Sequence, residues 1–263
     1  MTLTREQLTG RLVLNAVLPV IRVMLEDDER MKDRFADVTG TVQFEADDPD
    51  GKIGAWLLFD RGKFEVTQGF TENPDVLFSF SSLKAMNDMF RGKPVLPRLG
   101  ALLPALMKKP GLVIRVFKVL FGLKLLMPAA KPKNAEQAHL KVKMTLYMVS
   151  TALSQMNKAG DTDMQAWTAK QPERIYQWSV DGTDIVCYLK VKAGKTKAGR
   201  GVHTGRKPFV HMSFKSVDAA LPVLANTIDT VSAIGQGLVL SDGSPEYGGK
   251  LGDFMMKVAN LLS

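Results

Sequence analysis

The chain has 263 residues, of which 45% are hydrophobic and 24% are charged, and its formal net charge is +8 at pH 7. This composition is typical of a globular protein and excludes a disordered or fibrous chain. The single cysteine, Cys187, excludes an intramolecular disulfide and fits a reducing compartment, and its place in an apolar strand predicts a buried, inert thiol.

The N-terminal stretch from Leu12 to Ile21 is apolar, but Arg11, Asn15 and Arg22 interrupt or flank it. Because no small-residue cleavage site follows, we interpret it as part of a helix and not as a signal peptide. The sequence has no uncharged apolar run of about 18 residues, so we predict no membrane span and expect the protein in the cytoplasm.

The first half of the chain is predicted to open with a long helix and to continue with four strands. Thr4 precedes Gln7 by the spacing of a capping box, so we expect a helix over residues 5–25, kinked at Pro19. Its inward positions are Leu14, Val17, Leu18, Ile21 and Leu25. Strands are expected near residues 40–46, 54–60, 63–67 and 75–80, and Ser82 is expected to cap the next helix.

The second half repeats this order of elements. Asn134 and Gln137 have the same capping spacing, and a helix is expected from residue 135 to about residue 158. Its inward positions are Leu140, Met144, Met148 and Leu153. Strands are expected near residues 174–180, 184–191, 196–199 and 209–214, with Ser216 as the next helix cap.

One short pattern occurs once in each half. Residues 74–85 and 208–219 agree in register at six of twelve positions, and each copy is preceded by an apolar run that ends in a Gly-Lys turn, Gly62-Lys63 or Gly194-Lys195. A repeat of half the chain indicates two copies of one domain. We therefore predict domains at residues 1–130 and 131–263.

The two copies differ at their ends. Copy two continues into a predicted strand and turn at residues 237–243 and then a final helix with Leu251, Phe254, Met255, Val258, Leu261 and Leu262. Copy one has no such strand. It runs through Pro94, Pro97, Pro104 and Pro110 into an apolar, basic segment at residues 112–127.

This organisation resembles the sterol carrier protein 2 family. The resemblance rests on Gly194-Lys195, residues 210–216 and residues 237–243, and covers nearly all of copy two and about the first 95 residues of copy one. It implies an α+β fold of two tandem sterol-carrier-like domains, each a mostly antiparallel sheet of about five strands covered by helices. It also implies an apolar tunnel for fatty acyl chains, sterols or isoprenoid lipids. Copy one departs from the family at the last strand, which leaves open whether it contains a tunnel.

The resemblance also assigns ligand-binding side chains by position. In copy two they are Met212, Phe214, Phe254, Met255 and Val258. In copy one they are Phe78, Phe80, Phe117 and Phe121. An apolar tunnel needs few polar anchors, because each buried methylene contributes ~0.8 kcal/mol. The same side chains would also serve as ordinary core, and that alternative stays open.

Positive charge is concentrated where copy one departs from copy two. Residues 89–135 contain ten basic and no acidic residues, whereas the rest of the chain has 25 basic and 27 acidic residues. A helix within residues 112–127 would carry Arg115 and Lys118 on one narrow face and Lys124 on the opposite side. We predict that these three side chains contact an anionic membrane transiently. The alternative is a core or domain-interface helix whose lysines reach solvent.

The remaining motifs favour no chemistry. The basic, Gly-rich residues 194–201 lack a nucleic-acid-binding motif, so we expect solvated turns and no nucleic-acid partner. Residues 47–51 are similar to part of a calcium loop but lack its later glutamate, which indicates a hairpin turn. The three histidines have no metal-ligand spacing and there is no Gly-x-Ser-x-Gly motif. We therefore expect no metal, no cofactor and no enzyme.

The sequence thus predicts a cytoplasmic protein, peripheral to membranes at times, that binds and transfers a hydrophobic small molecule or lipid. Two alternatives stay open. One is an interaction module or homodimer with filled cores. The other is an accessory subunit that presents lipid to a lipid or quinone biosynthetic enzyme.

Overall fold

The computed structural model describes residues 3–263, which form two compact units. The main part of the first unit is Thr4–Lys124, and that of the second unit is Leu125–Leu261. Each unit contains a largely antiparallel sheet covered by helices, with four strands in the first and five in the second. The predicted α+β fold class is confirmed.

The first unit opens with a helix that changes its winding. Helix α1 (Arg5–Leu12) passes through a π-helical turn (Val13–Val17) and a 3₁₀ turn (Leu18–Val20) into helix α2 (Ile21–Asp27). Pro19 lies in the 3₁₀ turn, where its missing N–H interrupts the α-helical hydrogen bonds. By length and composition Arg5–Asp27 passes the test for a membrane span among the described residues, but 78% of its most apolar window is buried, as in a core helix.

The first sheet follows helix α3 (Glu29–Phe35). Its strands are β1 (Thr39–Ala46), β2 (Ile53–Asp60), β3 (Lys63–Gln68) and β4 (Val76–Phe80). Their order is β3-β2-β1-β4, and β1 and β4 run parallel. The sheet is followed by α4 (Leu83–Phe90), α5 (Leu99–Lys108) and α6 (Pro110–Gly122). The boundary between the units falls within the next element, a 3₁₀ turn (Leu123–Leu126).

The second unit begins with α7 (Ala135–Ala159) and α8 (Thr162–Ala169). Its first four strands are β5 (Arg174–Val180), β6 (Val186–Lys192), β7 (Lys195–Arg200) and β8 (Val210–Phe214). They are followed by α9 (Val217–Leu224), α10 (Thr230–Gly235), β9 (Val239–Gly243) and α11 (Pro245–Leu262). The sheet order is β7-β6-β5-β8-β9, so this unit has the last strand that the sequence predicts.

Equivalent residues adopt equivalent local structure in the two units. The β2–β3 and β6–β7 hairpins turn through Arg61-Gly62 and Ala193-Gly194, with φ of 46° and 83° in one and 45° and 80° in the other. Ser82 and Ser216 both accept a hydrogen bond from the backbone N–H three residues later, as predicted. One detail differs from prediction, because the Gln137 side chain accepts from the N–H of Lys133 instead of closing a capping box.

The units diverge beside the fourth strand of each sheet. In the second unit β9 pairs antiparallel with β8. In the first unit the backbone N–H of Arg98 donates to the Ser79 carbonyl at 2.7 Å, and α5 packs beside β4. An open strand edge is prone to pair with other chains, so α5 protects the edge that β9 covers in the second unit. The proline-rich segment thus contains a helix that the sequence did not predict, with Pro104 inside it.

Candidate functional site

The second unit contains an apolar cavity of about 1000 Å³ that opens to solvent, which we call the second-unit cavity. Its walls are strands β8 and β9 on one side and helices α8, α10 and α11 on the other. Met212 of β8 contributes a buried side chain, and Trp167 of α8 contributes its indole ring. The size lies at the upper end of ordinary ligand pockets, which are about 300–1000 Å³.

Exposed apolar side chains surround the mouth of this cavity. Val231 is 80% exposed, and Ile234 and Met256 are each 41% exposed, although all three belong to the cavity lining. Exposed valine, isoleucine and methionine carry an unfavourable hydration free energy, which an apolar ligand between them would relieve. The mouth is therefore suited to a ligand that is apolar along most of its length.

Three glycines of α11 make room for the cavity. Gly248, Gly249 and Gly252 all line it, within a helix of 18 residues. A Cβ atom on Gly252 would have the Thr230 hydroxyl at 3.8 Å as its nearest neighbour, and one on Gly249 would meet nothing within 4 Å. Since glycine is unfavourable inside a helix by about 1 kcal/mol, its repeated use here was a sequence signal for open space that we missed.

A cluster of aromatic and polar side chains fixes the start of α11 against the sheet. The Arg174 guanidinium packs against two rings, 4.0 Å from the centre of Phe209 and 4.2 Å from that of Tyr247. Tyr247 also lines the cavity, and the buried Tyr176 hydroxyl donates to Gln171 beside it. Burial raises the pKa of Tyr176, so this hydroxyl stays protonated. The cavity therefore has a polar rim at one end.

An ion-pair cluster fixes the second half of α11. The Lys257 ammonium lies 2.7 Å from the Asp161 carboxylate and 3.0 Å from that of Asp163, both at the start of α8. Asp161 also accepts a hydrogen bond from the Met164 N–H as the helix cap. Although burial lowers the pKa of Lys257, its two carboxylate partners raise it overall, so the ammonium keeps its charge. Both ends of the cavity wall are thus anchored.

The five side chains predicted to bind ligand in copy two fall into two groups. Met212 lines the second-unit cavity. Phe214, Phe254 and Val258 are buried and lie outside its lining, where Phe254 packs 5.4 Å from Trp167. Met255 is half-buried, and the neighbouring Met256 takes the place in the lining. Sequence reasoning missed Trp167, Tyr247 and the glycines, because it assigned the ligand-binding positions by resemblance to the sterol carrier protein 2 family.

In copy one the predicted ligand-binding side chains are mostly core. Phe78 and Phe80 are buried, and Phe78 stacks on Phe44 at 4.8 Å between ring centres. Phe117 of α6 packs edge-on against Phe78 at 5.5 Å, so aromatic rings fill the space between this helix and the sheet. Phe121 points outward and is 60% exposed.

The three side chains predicted to contact a membrane have different environments. Arg115 forms an ion pair with Asp37 at 2.8 Å, and its hydrogen bond holds the pKa of Asp37 below the usual value. Lys118 and Lys124 are exposed, and Lys124 lies 4.8 Å from the Phe121 ring centre. The exposed face is thus centred on Lys118 and Phe121, with Arg115 at one margin and Lys124 at the other.

The other motifs are accounted for by local structure. Residues 47–52 connect β1 and β2, and their carboxylates accept hydrogen bonds from Gln7 and Arg98. The described residues contain no group of three or more metal-ligand side chains that could hold an ion. In the basic hairpin, Lys190 and Lys192 both pair with Glu173 and lower its pKa to about 2. Cys187 is buried as predicted, and burial raises its pKa to about 12.

Comparison with known proteins places the chain in no family. No family model matches it, and no curated protein matches it. The stereoselective inverting sec-alkylsulfatase Pisa1 from Pseudomonas sp. is 16% identical, with a TM-score of 0.28. A double mutant of the sec-alkyl sulfatase PisA1 is 18% identical, with a TM-score of 0.27. The matches cover 57% and 56% of this chain and 29% of each sulfatase chain, too small a likeness to carry over a fold or an activity.

Proposed function

We propose that the protein binds a hydrophobic ligand, such as a fatty acyl, sterol or isoprenoid lipid, in the second-unit cavity and carries it without chemical change. The observation that supports this proposal best is the cavity itself, about 1000 Å³ between sheet and helices, with Met212 and Trp167 in its wall. Its place beside the final strand and helix is where the resemblance to the sterol carrier protein 2 family puts a tunnel.

The free energy of such binding comes from buried apolar surface. About ten methylenes in the cavity would contribute a gross ~8 kcal/mol, before the entropy cost of association is subtracted. This contribution needs no charged partner. Five charged side chains nevertheless belong to the lining, beside its apolar groups: Lys170, Asp229, Glu246, Lys250 and Asp253. Ser241 and Tyr247 also line the cavity and could contact the polar end of a lipid.

Only the second unit is proposed to bind ligand in this way. In the first unit the ring of Phe78 packs against the rings of Phe44 and Phe117, between the sheet and α6. Helix α5 also takes the place beside β4 that strand β9 takes beside β8. The divergence of the two copies therefore separates a ligand-binding unit from one with another task.

Native mass spectrometry and organic extraction of the purified protein test the proposal. We expect one lipid-sized adduct per chain, released by solvent and identified in the extract. Gly252→Leu places a side chain in the cavity and should remove the adduct, without destabilising the helix, because leucine is the better helix former. Gly111→Leu in α6 makes the same change at an exposed helical glycine of the first unit and should retain the adduct.

Two outcomes would contradict the proposed ligand binding in the second-unit cavity. If neither the wild type nor Gly111→Leu retains or takes up lipid, and the protein forms a stable dimer, it is an interaction module and not a carrier. If Gly252→Leu retains as much lipid as the wild type, the ligand lies elsewhere. A lipid-presenting role beside an enzyme would give the same adduct, and transfer between vesicles without a partner enzyme would distinguish the two.

A further inference from the structure

The first unit exposes a concentrated apolar surface on α5 and α6. Seven of the thirteen large apolar side chains that are exposed among the described residues lie within residues 96–121. They are Leu96, Leu99, Leu103, Leu106, Met107, Ile114 and Phe121, which together we call the α5–α6 surface. Monomeric soluble proteins seldom expose so many clustered apolar groups, and such a patch usually marks a site of interaction.

The helices have apolar side chains on both faces. Leu102 and Ala105 of α5, and Val113, Val116 and Val119 of α6, are buried against the unit. Leu103 and Met107 point outward on α5, with exposed fractions of 56% and 78%. A helix that only covers a core needs one apolar face, so packing within the unit does not explain the outer one.

Of the basic side chains beside this surface, some form ion pairs and others do not. Arg98, Lys109 and Arg115 form ion pairs with Asp47, Asp75 and Asp37, at 2.6, 2.6 and 2.8 Å. Lys108, Lys118 and Lys124 are exposed and form no ion pair with any described residue. Because residues 89–135 contain no acidic residue, the surface combines exposed apolar groups with uncompensated positive charge.

We propose that the α5–α6 surface docks on an anionic lipid bilayer, with the apolar side chains in the interface and the three lysines at the phosphate groups. Apolar insertion together with basic side chains is the combination that binds peripheral helices to anionic membranes. A second copy of the chain is the weaker match, because a symmetric interface would bring the same unpaired lysines face to face. This inference does not depend on the ligand proposal, since it concerns the other unit.

Vesicle flotation at low salt tests the inference with the full chain. Vesicles of phosphatidylglycerol and phosphatidylcholine in equal parts are compared with pure phosphatidylcholine. Met107→Glu/Ile114→Glu changes two exposed side chains of the surface and should lower binding more than tenfold. Lys118→Gln and Lys124→Gln should each lower binding about fivefold. Val202→Glu/Leu240→Glu is the matched control, because both residues are 62% exposed in the second unit, and it should bind as the wild type does.

We expect the wild type to bind the anionic vesicles strongly and the neutral vesicles weakly. Added salt should release the protein from the anionic vesicles. Absence of binding by the wild type would overturn the inference, as would equal binding by Met107→Glu/Ile114→Glu. A concentration-dependent dimer that this double substitution abolishes, without vesicle binding, would assign the surface to a second copy. Loss of vesicle binding with lipid still retained in the cavity would leave the ligand proposal intact.

Discussion

At the residue scale, one carboxylate of the first unit, that of Asp88, lies close to three cations. Asp88 on α4 accepts from Lys84 at 2.5 Å and from Lys93 at 2.8 Å, and Arg91 lies 3.6 Å away. The hydrogen bonds from Lys84 and Lys93 lower the pKa of Asp88 from 3.8 to about 2. The ionised form of the Asp88 carboxylate is therefore more stable in the folded state than in the unfolded state.

This pKa shift predicts how stability depends on pH. Because the folded pKa is depressed, the contribution of Asp88 is complete above about pH 5 and is lost as the pH falls through 2. Asp88→Asn should lower Tm at pH 7, and its Tm should approach that of the wild type near pH 2. Thermal melts across this range, with NMR titration of the carboxyl, provide the measurement. Glu72→Gln, at an exposed position, is the control, and a Tm gap independent of pH would contradict the prediction.

The two equivalent helix caps provide a second test at this scale. Ser82 and Ser216 each accept a backbone N–H bond at 3.1 Å, and removing such a cap costs about 1 kcal/mol. Ser82→Ala and Ser216→Ala should therefore reduce the free energy of unfolding by similar amounts in denaturant titrations. Ser81→Ala removes an exposed hydroxyl next to the cap and should have little effect. Losses no larger than that of Ser81→Ala would show that the caps contribute nothing.

At the element scale, the repeated hairpin turns place non-glycine residues in the left-handed region. Ala193 has φ of 45° in the β6–β7 turn, and an L-residue there costs roughly 1–2 kcal/mol that glycine avoids. Ala193→Gly should therefore stabilise the protein by ~1 kcal/mol. Ala198→Gly in strand β7 of the same hairpin should destabilise it, because glycine weakens a strand. Equal signs for the two substitutions in equilibrium unfolding would refute this explanation.

Local signals predicted most of the elements but not their spatial neighbours. Strands β1–β4 and β5–β8 begin and end within about two residues of the predicted limits, because alternation, the Gly-Lys turns and the caps at Ser82 and Ser216 act over a few residues. The parallel pairing of β1 with β4 depends on contacts distant in sequence. Helix α5 was missed because Pro104 argues against a helix, whereas packing beside β4 stabilises one.

At the scale of the whole molecule, the two units have sheets of related strand order and different covering elements. The second unit keeps the last strand and leaves space under α11, whereas α5 and α6 of the first unit expose apolar and basic side chains. The sequence identified where the copies diverge, since it contains the charge run and the prolines. Of the cavity lining it identified Met212 alone. The glycines of α11 signal open space, but which side chains surround that space depends on packing between elements.

The central claim is that an apolar ligand occupies the second-unit cavity, and Trp167 in its wall provides the most direct measurement. Titration with a brominated fatty acid should quench tryptophan fluorescence to saturation at one equivalent per chain. Trp167→Phe should lose most of this quenching, because the other tryptophans, Trp56 and Trp178, lie outside the lining. Gly252→Leu should abolish saturable quenching, and Gly111→Leu should leave it unchanged. Equal quenching of the wild type and Trp167→Phe, or none in either, would contradict the proposed carrier function.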